Sequence, residues 1–237
     1  MRRVLDVVVS LLAGLLLLPV IAAVALAVLV TMGRPVLFRQ ERAGLGGVPF
    51  RLLKFRTMRP PSEFGQPDAA RTPAVGRFLR ASSLDELPQL WNILRGDMSL
   101  IGPRPALPLQ VEHYTARQRG RLAVRPGLTG WAQVNGRNAI SWPERIELDL
   151  WWIDHRGAGL DLRIVALTAL RTVRPSGVHG VDGINDGFPT ASGTVVDFWG
   201  ARPAAPGSAH GSVPAPRAEP GVPDAPATDQ ARTAGDR

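Results

Sequence analysis

The first 34 residues are dominated by apolar side chains, and the 27 residues between Asp6 and Arg34 carry no charge. As one helix this stretch would be about 40 Å long, which exceeds the roughly 30 Å hydrocarbon core of a bilayer. Pro19 divides the stretch into halves that are each too short to cross alone, and proline kinks a helix because it removes a hydrogen bond. The pattern predicts a membrane-embedded helix that is broken at Pro19.

Basic residues flank this stretch on both sides, with Arg2 and Arg3 before it and Arg34 and Arg39 after it. Because basic flanks tend to stay on the cytoplasmic side, both ends are expected there. A kinked helix that enters one leaflet and returns meets this requirement, and a single tilted span is the alternative. A cleaved signal peptide is disfavoured, since the run is longer than a signal sequence's apolar region and ends without a small-residue cleavage site.

Two short apolar stretches follow, at residues 35–40 and 49–58, both rich in Val, Leu and Phe. The segment "ERAGLGGV" separates them, and its glycines favour a turn over a phosphate-binding loop, which would need a following Lys-Ser/Thr. This pattern predicts a β-hairpin.

The rest of the chain alternates between helical periodicity and segments rich in Gly and Pro. Helices are predicted at residues 75–81, 84–95, 109–122, 143–153 and 160–173, and loops at 60–74, 96–108 and 125–137. Trp151–Trp152 and the apolar last helix suit a membrane interface. The expected fold is α+β and predominantly helical: a monotopic membrane protein with a re-entrant N-terminal helix, a small β-hairpin and interfacial amphipathic helices.

Composition divides the chain further. The last 37 residues contain seven Pro and ten Ala and few large aliphatic side chains, so they cannot form a core. The predicted organisation is a membrane helix at 1–34, a cytoplasmic catalytic domain at 35–180, a connecting segment at 181–200 and a disordered tail at 201–237.

Charge is concentrated in the predicted catalytic domain. Residues 33–180 hold 22 basic and 12 acidic residues, whereas residues 181–237 hold four and seven. A basic domain indicates an anionic partner, which could be a phospholipid, a nucleic acid or a phosphorylated substrate. The chain has no cysteine and its four histidines lack ligand-like spacing, so disulfides and a zinc site are not expected.

Two adjacent acids in "SSLDELPQL", Asp85 and Glu86, are the candidate chemical groups. Ser83 and Glu86 fit a helix capping box, which would give the acids a structural role. That box would place Pro88 inside the helix, where it costs a hydrogen bond, so a helix that starts near Asp85 is preferred. The acids would then lie at the helix mouth and point in different directions.

Cations in or beside loops accompany these acids. They are Lys54, Arg56, Arg95, Arg104, Arg125 and Arg137. Arginines and backbone N–H groups bind phosphates, and carboxylates next to cations are expected to stay ionised at neutral pH. An ionised carboxylate can attack phosphorus or bind Mg²⁺. Lys54 is the only lysine beside 27 arginines, which makes it worth testing.

Four segments carry a resemblance to a known family. They are "QERAG" (40–44), "KFRTM" (54–58), "LDELPQLWNILRGDMSLIGPRP" (84–105) and "RPGLTGWAQVNGR" (125–137). Together they resemble the bacterial sugar transferases of the monotopic phosphoglycosyl transferase superfamily, in the short form that consists of the catalytic core. The chain departs from the commoner pattern at Arg2-Arg3, in place of Lys-Arg, and at Trp151–Trp152, where a pair containing Tyr is frequent.

The resemblance implies transfer of a sugar 1-phosphate from a UDP-sugar to undecaprenyl phosphate, with release of UMP. It implies a Mg²⁺ cofactor and a covalent aspartyl phosphosugar on Asp85, with Glu86 as the second acid of the pair. Asp85 and Glu86 are the candidate metal ligands, and Glu86 is expected either to hold Mg²⁺ or to tune Asp85. The resemblance also implies Arg104 as a phosphate ligand and a re-entrant helix broken at Pro19. The expected location is the bacterial cytoplasmic membrane with the catalytic domain on the cytoplasmic face, at the first membrane step of exopolysaccharide, capsule, O-antigen or glycan assembly.

The predicted site therefore contains Asp85 and Glu86, with Arg104, Lys54, Arg56, Arg125 and Arg137 as candidate substrate-binding residues. Expected partners are the UDP-sugar, undecaprenyl phosphate, membrane lipid and downstream glycosyltransferases, and no nucleic acid. Two alternatives stay open: a basic membrane-surface module that binds lipid or nucleic acid, and a Mg²⁺-dependent phosphatase that uses the same acids.

Overall fold

The computed structural model describes residues 2–60, 68–136 and 140–173, and the backbone of residues 188–189, 194–197 and 200–203. Helices predominate in these residues, as predicted. The α-helices are α1 (Arg2–Leu16), α2 (Leu18–Met32), α3 (Asp68–Arg71), α4 (Ala74–Ser82), α5 (Gln89–Arg95), α6 (Pro108–Glu112), α7 (Ala116–Arg119), α8 (Trp131–Val134), α9 (Trp142–His155) and α10 (Ala158–Val173). The strands are β1 (Leu37–Ala43), β2 (Pro49–Phe55), β3 (Ser99–Ile101), β4 (Gly127–Thr129), β5 (Phe188–Pro189), β6 (Thr194–Asp197) and β7 (Gly200–Pro203).

The apolar N-terminal stretch forms the helix pair α1 and α2, which is bent by 64°. The break lies at Leu17, and Pro19 occupies the first turn of α2, where its missing N–H is not needed. The predicted break at Pro19 is therefore confirmed. Neither helix is long and apolar enough to cross a bilayer alone. Only the bent pair taken together has the length and the apolar composition that a crossing would need.

Helix α1 is tied to the rest of the protein by a buried carboxylate. Asp6 is 7% exposed and accepts hydrogen bonds from Ser99 Oγ (2.8 Å) and from the Leu100 N–H (2.9 Å). Both donors belong to strand β3. Because a buried carboxylate needs hydrogen-bond partners, these contacts fix α1 against the strand that leads toward the predicted site.

Arginines also hold both ends of the bent helix pair. Arg3 donates to the last carbonyls of α5, at residues 93–94 (2.5 and 2.9 Å). Arg56 donates to the carbonyls that end α2, those of Met32 and Gly33. A cation at a helix C-terminus complements unpaired carbonyls and the helix dipole. The start of α1 contacts α5 and the end of α2 contacts Arg56, so both ends of the pair lie against the part of the chain that follows it.

The predicted hairpin is confirmed. Strands β1 and β2 pair antiparallel, from Leu37 opposite Phe55 to Ala43 opposite Pro49. A short 3₁₀ helix, Leu45–Gly47, makes the turn. Gly46 and Gly47 have φ values of 65° and 82°, which glycine adopts without a steric penalty.

Buried clusters join the elements around the hairpin and the last two helices. Val28 of α2, Phe55 of β2 and Leu79 of α4 form one cluster. Trp152 of α9 and Ile164 of α10 belong to another cluster. Complete burial of each such side chain contributes about 1.5–3 kcal/mol. The first of these clusters packs α2, the second half of the bent helix pair, onto the hairpin.

Strands β3 and β4 were missed, because residues 96–108 and 125–137 were predicted as loops. The two strands pair in parallel, with Ser99 opposite Gly127 and Ile101 opposite Thr129. A Cβ on Gly127 would lie 2.1 Å from the Gly102 backbone nitrogen, so this close backbone approach requires glycine. The same glycines that indicate loops in the sequence allow the two strands to meet.

The other helix boundaries follow the sequence with local changes. The helix predicted at 84–95 is divided by Pro88 into a 3₁₀ turn, Leu84–Glu86, and α5. The loop predicted at 60–74 contains the one-turn helix α3, and the segment 109–122 contains α6, α7 and a 3₁₀ turn. Predictions at 75–81, 143–153 and 160–173 correspond to α4, α9 and α10.

The C-terminal strands form a separate small antiparallel sheet in the order β5-β6-β7. Strand β7 extends to Pro203, three residues into the segment predicted as a tail. The remaining residues of that segment, 204–237, lie outside the described residues, and so does the prediction of disorder made for them.

We predict that Asp6→Ala lowers the free energy of unfolding by about 1–3 kcal/mol, since the Leu100 N–H and the Ser99 hydroxyl lose their acceptor. Thermal unfolding in detergent or nanodiscs measures this change. Asp68→Ala is the control, because Asp68 forms an exposed pair with Arg71 within one turn of α3, worth at most about 1 kcal/mol. Equal stability of the Asp6 and Asp68 variants would contradict the anchoring role of Asp6.

Candidate active site

The two acids lie on the 3₁₀ turn Leu84–Glu86, between α4 and α5. Ser83 adopts a left-handed conformation (φ 58°) that ends α4, and its side chain caps neither helix. The Glu86 N–H donates to the Ser83 carbonyl, not to its hydroxyl. The capping-box alternative is therefore wrong, and the Glu86 side chain is available for other partners.

The Glu86 side chain binds two cations through one oxygen. Lys54 Nζ lies 2.7 Å from Glu86 Oε1, and Arg104 Nη2 lies 2.8 Å from the same atom. Asp85 is 7% exposed, and its Oδ2 lies 3.9 Å from Lys54 Nζ. The structure therefore brings Asp85, Glu86, Lys54 and Arg104 into one cluster.

Three separate parts of the chain build this cluster. Lys54 projects from β2, opposite Phe38 in the hairpin register. The acids come from the 3₁₀ turn, and Arg104 comes from the loop after β3. Contacts between β2 and that turn place the two segments together although more than thirty residues separate them. The Arg104 side chain is half exposed, so it can still contact a ligand.

The pKa values of the two acids in the cluster are shifted in opposite directions. Burial raises the pKa of Asp85 above its ordinary value, with Lys54 opposing and the negative charge of Glu86 reinforcing this effect. Burial would also raise the pKa of Glu86, but Arg104 and Lys54 outweigh it and hold that pKa well below its usual range. Neighbouring cations keep Glu86 a permanent anion, as expected, whereas for Asp85 burial outweighs them.

Two other predicted substrate-binding residues, Arg56 and Arg125, are not in this cluster. The Arg56 guanidinium is held at the end of α2, as described above. Arg125 is exposed and donates to the Gly96 carbonyl (2.9 Å). Arg137 lies outside the described residues.

Two arginines near the acids were not predicted. Arg80 of α4 lowers the pKa of Asp85 through its charge, and its Nε donates to Thr57 Oγ1 (3.0 Å). Arg42 of β1 has its pKa lowered to about 10 by burial and by the charge of Arg104. Both appear in the sequence as ordinary basic residues of a helix and a strand, although Arg80 lies only five residues before Asp85.

The acids also determine whether a Mg²⁺ ion fits. No group of three or more His, Asp or Glu side chains is gathered in the described part of the chain. Mg²⁺ is commonly bound by one or two carboxylates together with substrate phosphates and water. Asp85 and Glu86 supply such a pair of hard oxygen ligands, so these residues fit Mg²⁺ as a partial ligand set that a phosphate substrate completes.

Comparison with known proteins identifies the family. The sequence profile described as bacterial sugar transferase matches residues 1–175. An uncharacterised sugar transferase of Bacillus subtilis, EpsL, is 46% identical over 69% of this chain and 83% of that protein. The UDP-glucose:undecaprenyl-phosphate glucose-1-phosphate transferase of Caulobacter vibrioides is 46% identical over 73% of this chain and 68% of that protein.

A longer relative matches in part. The UDP-glucose:undecaprenyl-phosphate glucose-1-phosphate transferase of Escherichia coli is 40% identical over 72% of this chain, and the match covers 40% of that protein. The matched part of this chain contains the bent helix pair and the whole acid–cation cluster. The chain therefore belongs to the bacterial sugar transferase family, and it is an enzyme of the phosphoglycosyl transferase class.

Proposed function

We propose that this enzyme transfers a sugar 1-phosphate from a UDP-sugar to undecaprenyl phosphate through a covalent intermediate on Asp85. One observation carries the proposal. Asp85 is a carboxylate shielded from water, and Glu86 holds two cations, Lys54 and Arg104, beside it. The names of the relatives support undecaprenyl phosphate as acceptor, and UDP-glucose is the first donor to test.

In the first step a carboxylate oxygen of Asp85 attacks the β-phosphorus of the UDP-sugar. A bond forms between this oxygen and phosphorus, and the bond from that phosphorus to the bridging oxygen breaks. The electron pair leaves with the bridging oxygen, so UMP is released and an aspartyl phosphosugar remains. In the second step a phosphate oxygen of undecaprenyl phosphate attacks the same phosphorus and frees the Asp85 carboxylate.

Burial and cations fit Asp85 for this role. A carboxylate with few solvent contacts is a stronger nucleophile than a hydrated one, because less water must be displaced from it. Lys54 and Arg104 are close enough to contact phosphate oxygens and to stabilise the charge on them. Glu86 holds both cations in place, and the closest ion-pair contact of Asp85 is the 3.9 Å distance to Lys54.

Mg²⁺ is proposed as the cofactor, with Asp85 and Glu86 as its protein ligands. When bound, it would neutralise charge on the phosphate oxygens of the donor. Lys54 and Arg104 supply the fixed positive charge that this chain contributes itself.

The acceptor's lipid tail requires that the site lie next to a membrane. The described surface of α10 exposes Leu162, Val165 and Leu170 along one side, and an ion pair of 2.9 Å joins Arg2 of α1 to Asp161 at the start of α10. We propose that these apolar residues rest in the same leaflet as the bent helix pair. The enzyme would then face the cytoplasm and feed later glycosyltransferases in surface-glycan assembly.

We also propose that the bent helix pair is re-entrant. Contacts of Arg3 and Arg56 with helix ends tie both termini of the pair to one catalytic domain, and a straight span would separate those termini by the thickness of the bilayer. Basic residues at both flanks support the same placement.

Replacement of the nucleophile tests the reaction. Asp85→Asn is expected to lower the rate of UMP release by on the order of 10⁴-fold or more, because the amide is not a nucleophile. UMP is measured with UDP-glucose in the presence and absence of undecaprenyl phosphate, and Asp154→Asn, on an exposed position of α9, is the control.

Without the lipid acceptor, the native enzyme should release at most one UMP per active site, since the intermediate has no acceptor. Continued turnover under this condition would indicate a hydrolase. Substantial UMP release by Asp85→Asn would exclude Asp85 as the nucleophile.

The pH dependence tests the electrostatics of Asp85. Lys54 lowers the pKa of this acid, so Lys54→Met should raise that pKa further above its ordinary value. Because the ionised form attacks, the acid-side limb of kcat/KM should move to higher pH. Lys54→Arg keeps the charge and should leave the limb near its native position. A limb that stays in place in Lys54→Met, whatever the change in maximal rate, would contradict this electrostatic role.

Topology is tested with single cysteines, which the chain otherwise lacks. One is added before Met1, and the other is Val48→Cys at the exposed tip of the hairpin. Both are expected to react with an impermeant maleimide in inside-out vesicles and to be protected in spheroplasts. Labelling of the two cysteines from opposite sides would establish a span and exclude the re-entrant arrangement.

A further inference from the structure

The loop at residues 103–106, which carries Arg104, has all of its backbone carbonyls engaged. The donors are the Gly127 N–H for Pro103 (2.9 Å), Arg121 Nη2 for Arg104 (2.9 Å), Arg42 Nη1 for Pro105 (3.1 Å) and the Ala43 N–H for Ala106 (2.9 Å). These donors come from β4, from β1 and from the 3₁₀ turn Gly120–Ala123. Two of the four residues are prolines, whose rings fix φ. The backbone of this loop is therefore held on every side.

Arg121 differs from the other donors because its whole side chain is buried. It is 4% exposed, and each of its nitrogens has its own partner. Nε donates to Asp149 Oδ2 (2.7 Å), Nη1 donates to the Tyr114 hydroxyl (2.8 Å) and Nη2 donates to the Arg104 carbonyl. Asp149 lies on α9 and is 1% exposed. A planar guanidinium with three fixed partners acts as a rigid link between α9 and the 103–106 loop.

The backbone of Arg104 is held in place, whereas its guanidinium is accessible to a ligand. Its carbonyl is bound to Arg121, while its half-exposed guanidinium reaches Glu86 Oε1 at 2.8 Å. A guanidinium that starts from a fixed backbone loses less conformational freedom when it binds phosphate. Burying the Arg121–Asp149 ion pair is costly in itself, which favours a role beyond packing.

We infer that Arg121, supported by Asp149 and Tyr114, is a positioning residue that sets the Arg104 guanidinium for phosphate binding. The inference rests on the proposed function, in which Arg104 contacts the phosphates of the UDP-sugar. Arg121 touches no substrate and acts through the Arg104 backbone.

A double-mutant cycle on the full-length enzyme in nanodiscs tests this role. Arg121→Lys keeps a positive charge for Asp149, but its single nitrogen cannot serve Asp149, Tyr114 and the Arg104 carbonyl in the same geometry. We expect kcat/KM for UDP-glucose, and the affinity for UMP measured by calorimetry, to fall about 10- to 100-fold. In the Arg104→Lys background, Arg121→Lys should cause little further loss, because two residues that act through one contact are not additive.

Arg117→Lys is the matched control. Arg117 also pairs with an acid of α9, Glu147 (2.6 Å), but the pair is exposed and does not contact the 103–106 loop. This variant should keep native kcat/KM and UMP affinity. If Arg121→Lys does not fold, Tyr114→Phe replaces it in the cycle, since it removes one partner of Arg121 and keeps the aromatic ring in the core.

The outcomes separate the two proposals. If the native enzyme releases UMP but the losses from Arg104→Lys and Arg121→Lys multiply in the double variant, the positioning role is wrong and the proposed function stands. Native kcat/KM and UMP affinity in Arg121→Lys would overturn the positioning role in the same way. If the native enzyme releases no UMP from any UDP-sugar with undecaprenyl phosphate, the proposed function is wrong, and this inference falls with it.

Discussion

The candidate active site depends on one carboxylate oxygen, Glu86 Oε1, which binds both Lys54 and Arg104. A carboxylate removed from water is costly unless it is paired with a cation. Two neighbouring cations, here Lys54 and Arg104, repel each other unless an anion lies between them. The shared oxygen solves both problems, because its negative charge is paired with the two cations and offsets the repulsion between them. It also joins three parts of the chain, the hairpin strand β2, the 3₁₀ turn and the loop after β3, at the position of the neighbouring Asp85.

This arrangement separates the roles of two adjacent acids. Glu86 is committed to its cations, which hold its pKa low, whereas Asp85 is shielded from water with its closest ion-pair contact at 3.9 Å. Enzymes that use paired carboxylates commonly give them different environments and hence different tasks. Here the division follows from the backbone: successive residues of a tight turn point in different directions, so one acid reaches the cations and the other packs beside them.

The bent helix pair and the rest of the described chain form one structural unit around this site. Asp6 fixes α1 to β3, and β3 leads into the 103–106 loop that carries Arg104. Val28 of α2 is completely buried in the cluster that contains Phe55, the residue after Lys54. The helix pair therefore contacts strand β2, which carries Lys54, and strand β3, which precedes the loop that carries Arg104. A displacement of α1 or α2 would therefore move the site residues, through the Asp6 contact with β3 or through the packing of Val28 against Phe55.

Features that depend on residues close together in the chain could be predicted before the fold was known. Proline chemistry located the helix break near Pro19 and set Asp85 and Glu86 ahead of α5, and alternating apolar stretches around glycines gave the hairpin. Motif resemblance selected Asp85, Glu86 and Arg104, whereas charge and loop placement selected Lys54, and the structure gathers all four in one place. Long-range packing set the remaining features: Arg56 binds the end of α2, Arg80 and Arg42 lie near the acids, and β3 pairs with β4. The physical reason is that a charge's role is set by what folds against it: Arg121 and Arg125 look alike in the chain, yet one is buried against Asp149 and the other is exposed.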